Sequence, residues 1–98
     1  MIALTIYMRP GCHLCHEMRV IVERVVRDTR AAARIEEIDI ANDPGLEARY
    51  GLEIPVLLVN GRKAAKYRIA EDDLRRKLIA EGQRAEGSGQ NGKRDVLP

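Results

Sequence analysis

The sequence contains no phenylalanine and no tryptophan, and its aromatic residues are three tyrosines. A chain so poor in rings lacks the stacking surfaces of single-strand nucleic-acid binding proteins, and its core is expected to be aliphatic. No apolar segment approaches the roughly 20 residues of a membrane-spanning helix. Seventeen basic and fifteen acidic residues leave a net charge of +2, too balanced for a nucleic-acid or membrane-surface protein. We therefore expect neither nucleic-acid nor membrane partners.

Cysteine is equally scarce, since the chain has two, Cys12 and Cys15. Two cysteines three positions apart cannot staple a fold, so a disulfide scaffold is excluded and the thiols are expected to do chemistry. The N-terminal residues lack a basic start, and Arg9 and Pro10 interrupt the apolar run before a signal-peptide core could form. The sequence therefore predicts a cytoplasmic protein, in a compartment where thiols are kept reduced.

The hydrophobic pattern predicts an α/β fold, with a four-stranded mixed sheet and helices on both faces. The predicted elements are a buried mid-sheet strand over 2–8, a helix over 12–29, a strand nearer an edge over 35–40, a short helix over 44–51, strands over 54–59 and 62–68, and a helix over 71–81. A strand–helix–strand start requires parallel pairing with a right-handed crossover. The element order is therefore βαβαββα.

Turn and cap residues mark several of these boundaries. Asp43 is expected to cap the short helix, Pro44 to open it, and Gly51 to end it in the left-handed conformation. Asn60-Gly61 predicts a tight hairpin between the last two strands.

From Gly82 the composition shifts, and four of the eight glycines lie in the last seventeen residues. We expect a domain over 1–81 and a disordered tail over 82–98.

The cysteine pair lies at the predicted junction of the first strand and the first helix. Unpaired N–H groups and the positive end of the helix dipole favour a thiolate there, which lowers the pKa of the Cys12 thiol. Arg9 adds positive charge. Cys15 lies one turn deeper on the same helix face, where a resolving thiol would lie. His13, between the two cysteines, is expected to tune the Cys12 pKa.

Four interpretations of the pair are open at this point. The pattern over 12–16 is also that of c-type haem attachment, which requires export and an aromatic-rich pocket. A zinc site would need a second pair of ligands, but every cysteine and histidine lies within 12–16. Incidental thiols are the third alternative. Dithiol redox chemistry is favoured because a strand is predicted before the pair and a helix after it.

Residues 7–15, the Ile54-Pro55-Val56 segment and residues 72–74 together resemble the glutaredoxin branch of the thioredoxin-fold superfamily. The resemblance covers residues 2–80 and is closest to small bacterial glutaredoxin-like proteins with a Cys-x-Leu-Cys motif. It implies a thioredoxin-like fold and a monomeric thiol–disulfide oxidoreductase that reduces protein disulfides or glutathione mixed disulfides. No bound cofactor or metal is implied, and glutathione is a possible co-substrate.

The resemblance also implies roles for individual residues. Cys12 matches the nucleophile and Cys15 the resolving cysteine. The positions that match substrate-binding residues or flank the cysteines are Tyr7, Arg9, His13, Ile54, Pro55, Val56 and Asp72. Arg9 would hold a glutathione carboxylate, Pro55 would be a cis-proline facing the cysteines, and Ile54 and Val56 would pair with substrate as an added strand. One of Asp72 and Asp73 would meet the glutathione amino group, although capping of the last helix explains both acids equally well.

One departure from the family pattern qualifies this expectation. Ile69 and Ala70 stand where glutaredoxins carry Gly-Gly, and both have a Cβ, so we expect dithiol chemistry without tight glutathione binding. The run over 62–68 is basic. We favour the interpretation that its charges protect a sheet edge from pairing with other chains over the interpretation that they form a basic rim attracting acidic partners.

Two alternative functions remain open: a protein that binds a metal or iron–sulfur centre at Cys12, and a thioredoxin-fold adaptor with inert thiols.

Overall fold

The computed structural model describes residues 1–88, and these residues follow the predicted α/β order with one short 3₁₀ turn added. The elements are β1 (Ile2–Met8), α1 (His13–Thr29), β2 (Ala33–Asp39), the 3₁₀ turn (Ile40–Asn42), α2 (Pro44–Tyr50), β3 (Val56–Val59), β4 (Arg62–Lys66) and α3 (Glu71–Ser88). Within this part of the chain, no helix combines the length and the apolar character needed to cross a membrane.

The four strands form one sheet in the order β2-β1-β3-β4. β1 is parallel to β2, from Ile2 opposite Ala33 to Met8 opposite Asp39, and it is antiparallel to β3. β3 is antiparallel to β4. The prediction of a mixed sheet, with the first strand inside it and the second at an edge, is confirmed.

The two faces of the sheet bury two separate clusters. The larger lies against α1 and α3, which contact each other. Its buried members are aliphatic side chains and one methionine: Ile2, Leu4, Ile6, Met18, Val22, Val25, Leu57, Val59, Ile69, Leu74 and Leu78. The smaller cluster lies under α2 on the opposite face, where Ile40, Tyr50 and Val56 are buried beside Tyr7. Helices therefore cover both faces, as expected, and the three tyrosines are absent from the larger cluster's buried core.

Local sequence signals explain the turns. The Asp43 carboxylate accepts hydrogen bonds from the Gly45 and Leu46 N–H groups at 2.9 and 3.2 Å, so Asp43 caps α2 as predicted. Asn60 and Gly61 both have positive φ, +50° and +82°, which is the conformation of a type I′ hairpin turn. Proline has no N–H for a sheet ladder, and β3 accordingly begins at Val56, two residues later than predicted.

Gly51 ends α2 as predicted, but the left-handed conformation predicted for it is wrong, and so is the predicted end of α3 at Gly82. Gly51 is not left-handed: its φ is −54°, and a Cβ placed on it would lie 2.5 Å from the Glu47 carbonyl oxygen. Close approach, and not positive φ, is therefore what requires glycine there. α3 continues through Gly82 to Ser88, because one interior glycine costs a helix only about 1 kcal/mol. The remainder of the predicted tail, 89–98, lies outside the described residues.

Substituting alanine at these two glycines is expected to change the stability of the protein in opposite directions. Gly51→Ala is expected to destabilise the protein by about 1–3 kcal/mol, because the new methyl group must displace backbone. Gly82→Ala meets open space inside a helix and is expected to stabilise it by about 0.5–1 kcal/mol. Urea denaturation of both variants measures the two changes. A stabilised Gly51→Ala protein would contradict the close packing described here.

Candidate active site

The two cysteines lie at the N-terminus of α1, just after the turn that connects β1 to this helix. A turn over 9–12 makes the connection, with the Cys12 N–H donating to the Arg9 carbonyl at 3.3 Å. Proline at the second position and Gly11 at φ +79° in the third suit a type II turn. The residue after this turn, Cys12, is the N-cap of α1, with φ −80° and ψ 114°.

Cys12 and Cys15 form a disulfide in this structure, with their Cα atoms 5.2 Å apart. The Cys15 N–H donates to the Cys12 sulfur at 3.2 Å, so the N-cap side chain satisfies one of the free amides of the first turn. Cys15 is buried, with 2% of its surface exposed, whereas Cys12 is half-buried. Cys12 is therefore the sulfur of the pair that an external disulfide can reach.

The helix dipole and nearby side chains both place charge around this helix end. The first turn of α1, all of it within the described chain, contains no acidic residue that would offset the positive end of the dipole. The His13 side chain is 83% exposed and its Nε2 lies 2.8 Å from a Glu17 carboxylate oxygen. The other Glu17 oxygen is 3.8 Å from Arg68. His13 is thus on the surface beside the pair and is bonded to Glu17.

Arg9, the expected glutathione-carboxylate ligand, is engaged by α2. Its Nε donates to Glu47 Oε2 at 3.2 Å, and its Nη2 forms an ion pair with Glu47 Oε1. Both side chains are more than a third exposed. The glycine at position 51 permits this arrangement, since a Cβ there would lie 3.0 Å from Arg9 Nη2. The sequence did not identify Glu47 as a site residue, because its partner Arg9 is 38 residues away along the chain.

Tyr7 supports α2. Its ring stacks on that of Tyr50, with centroids 4.6 Å apart and planes at 18°. Tyr50 is buried, and the Arg49 guanidinium lies 5.3 Å from the centre of its ring. The aromatic position predicted for the site therefore packs into the cluster under α2, beside the strand end that carries the Cys turn. Tyr50 is a partner that the local sequence pattern did not reveal.

The segment around Pro55 has the conformation that the resemblance implied, since the Ile54–Pro55 bond is cis and Pro55 is buried. Val56 belongs to β3 and lies inside the sheet, in register with Tyr7 on one side and Lys66 on the other. The Ile54 N–H and C=O have no hydrogen-bond partner among residues 1–88. Of the two flanking residues, Ile54 is the one with backbone groups open to a bound peptide.

Tyr67, just after β4, forms two hydrogen bonds to this segment. Its N–H donates to the Pro55 carbonyl and its hydroxyl to the Leu52 carbonyl, each at 2.8 Å. Tyr67 does so at φ +67°, a conformation that few residues with a side chain adopt. A hydrogen bond from Lys63 lowers the pKa of the intervening Glu53, which keeps that carboxylate charged beside the segment. Local sequence signals did not identify Tyr67.

Asp72 is the one predicted site residue on α3. It is exposed in the first turn of α3, between Glu71 and Asp73, and among the described residues it has no hydrogen bond or ion pair. Three acids at a helix N-terminus complement the dipole. Ile69, one of the two residues in place of Gly-Gly, is buried in the larger core cluster, while Ala70 is exposed. In the part of the chain described, no cluster of three or more metal-ligating side chains is present.

An α/β sheet of this order, with a Cys-x-x-Cys pair at a helix N-terminus, defines a thioredoxin-fold protein with a redox-type role. A mutant thioredoxin from Halobacterium salinarum shares the fold at 20% identity, with a TM-score of 0.58 over 81% of this chain and 73% of that one. The chain belongs to the family of the Glutaredoxin-like domain (DUF836), whose profile matches residues 3–79.

Two other solved structures are similar. The protein XcR50 from X. campestris is 35% identical, with a TM-score of 0.60 over 79% of this chain and 96% of that one. The protein Ne2328 from Nitrosomonas europaea is 26% identical, with a TM-score of 0.67 over 79% of this chain and 91% of that one. No curated protein matches the chain. The glutaredoxin-like resemblance is thereby confirmed, while the narrower likeness to Cys-x-Leu-Cys proteins stays a prediction.

Proposed function

We propose that the protein is a thiol–disulfide oxidoreductase that reduces protein disulfides or glutathione mixed disulfides. The observation that carries the proposal is the asymmetry of the pair: Cys12 caps α1 and is partly exposed, whereas Cys15 is buried within bridging distance. The helix N-terminus stabilises a thiolate at Cys12, which is the form that attacks. A buried second thiol can react with a disulfide on Cys12 but is hidden from bulk substrate.

The reaction takes place between sulfur atoms. The Cys12 thiolate attacks one sulfur of the substrate disulfide, the other sulfur leaves as a thiolate and takes up a proton, and a mixed disulfide joins Cys12 to the substrate. Cys15 then loses its proton and attacks the Cys12 sulfur, which releases the second substrate thiol. The substrate gains two electrons and the pair becomes the Cys12–Cys15 disulfide. Two glutathione molecules, or the dithiol of a reductase, then reduce this disulfide and restore the dithiol.

We further propose that the substrate backbone pairs with Ile54, whose polar groups are open at the start of β3. No bound cofactor is needed, because the side chains carry the electrons. We also propose that the protein is cytoplasmic, since a reducing compartment regenerates the dithiol. We further propose that it is a monomer. Glutathione binding is expected to be weak, because Arg9 is held by Glu47 and the Ile69 side chain occupies one of the positions that are glycine in glutaredoxins.

The Arg9–Glu47 pair yields a measurable expectation. Glu47→Gln removes the carboxylate that competes for the Arg9 guanidinium and is expected to lower the KM for a glutathione mixed disulfide about two- to fivefold. Steady-state kinetics with the mixed disulfide of glutathione and a small thiol measures this. Glu37→Gln, which removes one of the two carboxylate partners of Arg19, is the control with the same change in net charge. An equal fall in KM in both variants would assign the effect to net charge alone.

The stoichiometry of a single turnover tests the proposed function. Fully reduced protein, freed of reductant and mixed anaerobically with excess insulin, should lose two thiols per chain and open one insulin disulfide. Protein that loses no thiols would support the adaptor alternative. Brown, anaerobically purified protein with stoichiometric iron would support the iron–sulfur alternative.

A further inference from the structure

Tyr67 combines an unusual backbone conformation with hydrogen bonds to the chain that leads into β3. Its φ of +67° lies in the left-handed region, which residues with a large side chain rarely adopt. Such a conformation costs free energy and persists only where the surrounding structure holds it, and outliers of this kind are concentrated at functional sites. The conformation of Tyr67 therefore points to a role for the contacts that hold it.

The two hydrogen bonds of Tyr67 fix both ends of residues 52–55, which we call the 52–55 loop. The Tyr67 hydroxyl donates to the Leu52 carbonyl, and the Tyr67 N–H donates to the Pro55 carbonyl, each at 2.8 Å. One residue thus spans the loop, with its backbone at one end and its hydroxyl at the other. The Lys66 ammonium lies 5.6 Å from the centre of the ring, a cation–π contact that favours the same ring position.

Inside the 52–55 loop, Glu53 is held while the Ile54 backbone is open. The Glu53 N–H donates to the Tyr50 carbonyl at 2.8 Å, and the Glu53 carboxylate accepts a hydrogen bond from Lys63 on β4. The Ile54 N–H and C=O have no hydrogen-bond partner among residues 1–88. The loop therefore presents the open polar groups of one residue between neighbours that are fixed in place.

Core packing does not explain Tyr67. Its side chain is 43% exposed and belongs to neither of the two hydrophobic clusters. The buried residues of the cluster under α2 are Ile40, Tyr50 and Val56. What Tyr67 contributes beyond its own exposed ring is the pair of hydrogen bonds to the 52–55 loop.

We propose that Tyr67 is a positioning residue that holds the Ile54 backbone ready to bind an extended peptide. This role rests on the proposed function, in which the substrate backbone pairs with Ile54. A loop that is already fixed loses little conformational freedom when the peptide binds, so more of the interaction energy appears as affinity. A small disulfide has no peptide backbone to pair with Ile54 and gains nothing from the fixed loop. Tyr67 thus favours protein disulfides over small disulfides.

Two substrates with the same leaving thiol test this role. One is a short peptide whose central cysteine is linked by a disulfide to 2-mercaptoethanol, and the other is bis(2-hydroxyethyl) disulfide, which has no peptide groups. Tyr67→Phe removes the hydroxyl that bonds Leu52 and is expected to raise the KM for the peptide about three- to tenfold, with kcat unchanged. The KM for the small disulfide should change less than about twofold.

Thr29→Val is the matched control, because it removes a hydroxyl that donates to the Val25 carbonyl at 2.7 Å, at the end of α1 remote from the cysteine pair. It should leave both KM values within about twofold of those of the wild type. Tyr67→Gly is a second test variant, since glycine adopts positive φ freely, and it is expected to fold and to raise the peptide KM at least as much as Tyr67→Phe. Thermal unfolding shows whether each variant is folded.

Three outcomes would overturn this role. An unchanged peptide KM in both Tyr67 variants, while the wild type reduces both substrates, would contradict it and leave the proposed function intact. An equal rise in KM for both substrates, or a fall in kcat, would show that Tyr67 supports the site as a whole and not peptide binding. Wild-type protein that reduces neither substrate would contradict the proposed function and the role of Tyr67 with it.

Discussion

Cys12→Ser is expected to abolish disulfide reduction, with a loss of more than about a thousandfold in turnover. A serine hydroxyl at the N-cap is not ionised near neutral pH and cannot form a disulfide, whereas it can still accept the Cys15 N–H bond that Cys12 accepts in the structure. The fold should therefore survive while the chemistry is lost. Insulin reduction with a dithiol reductant, together with thermal unfolding of both proteins, measures the two effects.

The control for this substitution is the same atom exchange at the other cysteine. Cys15→Ser leaves the partly exposed nucleophile in place, so it should still attack once, although it cannot resolve the product. Reduction by Cys12→Ser at the wild-type rate would contradict the catalytic role of Cys12. Equal loss of the first attack in both variants would contradict the assignment of roles from their exposure.

Leu57→Ala is expected to destabilise the protein by about 3 kcal/mol and to lower Tm by about 10–20 °C. Leu57 is fully buried in β3, where it packs in the larger cluster beneath α1 and α3, and truncation leaves a cavity there. Leu52→Ala is the matched control, because Leu52 is 91% exposed and its removal should change stability by less than about 0.5 kcal/mol. Similar Tm values for the two variants would contradict the described packing.

The arrangement of the fold was predictable because each element carries its own local pattern. Alternating apolar residues marked β1, helical periodicity marked α1, and Asn60-Gly61 marked the hairpin that the structure contains. The end of α3 was not predictable from Gly82, because a glycine weakens a helix without forbidding it. Gly51 was assigned the wrong conformation for a related reason, since glycine serves both left-handed turns and close approaches.

The candidate site was predictable only in part. Cys12, Cys15 and Pro55 belong to motifs that can be recognised along the chain, and the structure places the pair at the helix N-terminus and Pro55 in a cis bond. Glu47 and Tyr67 act through partners that become neighbours only on folding. Glu47 changes the environment of Arg9, and Tyr67 fixes the Pro55 segment, so sequence motifs alone could not describe how these groups are held.

In the proposed reaction, Cys12 attacks the substrate disulfide and Cys15 completes the exchange. The most direct test is to incubate Cys15→Ser protein with a disulfide substrate and to measure its intact mass with and without reductant. We expect a stable adduct of one substrate thiol per chain, linked to Cys12 and released by reduction. Protein that remains unmodified under conditions where the wild type turns over would contradict it.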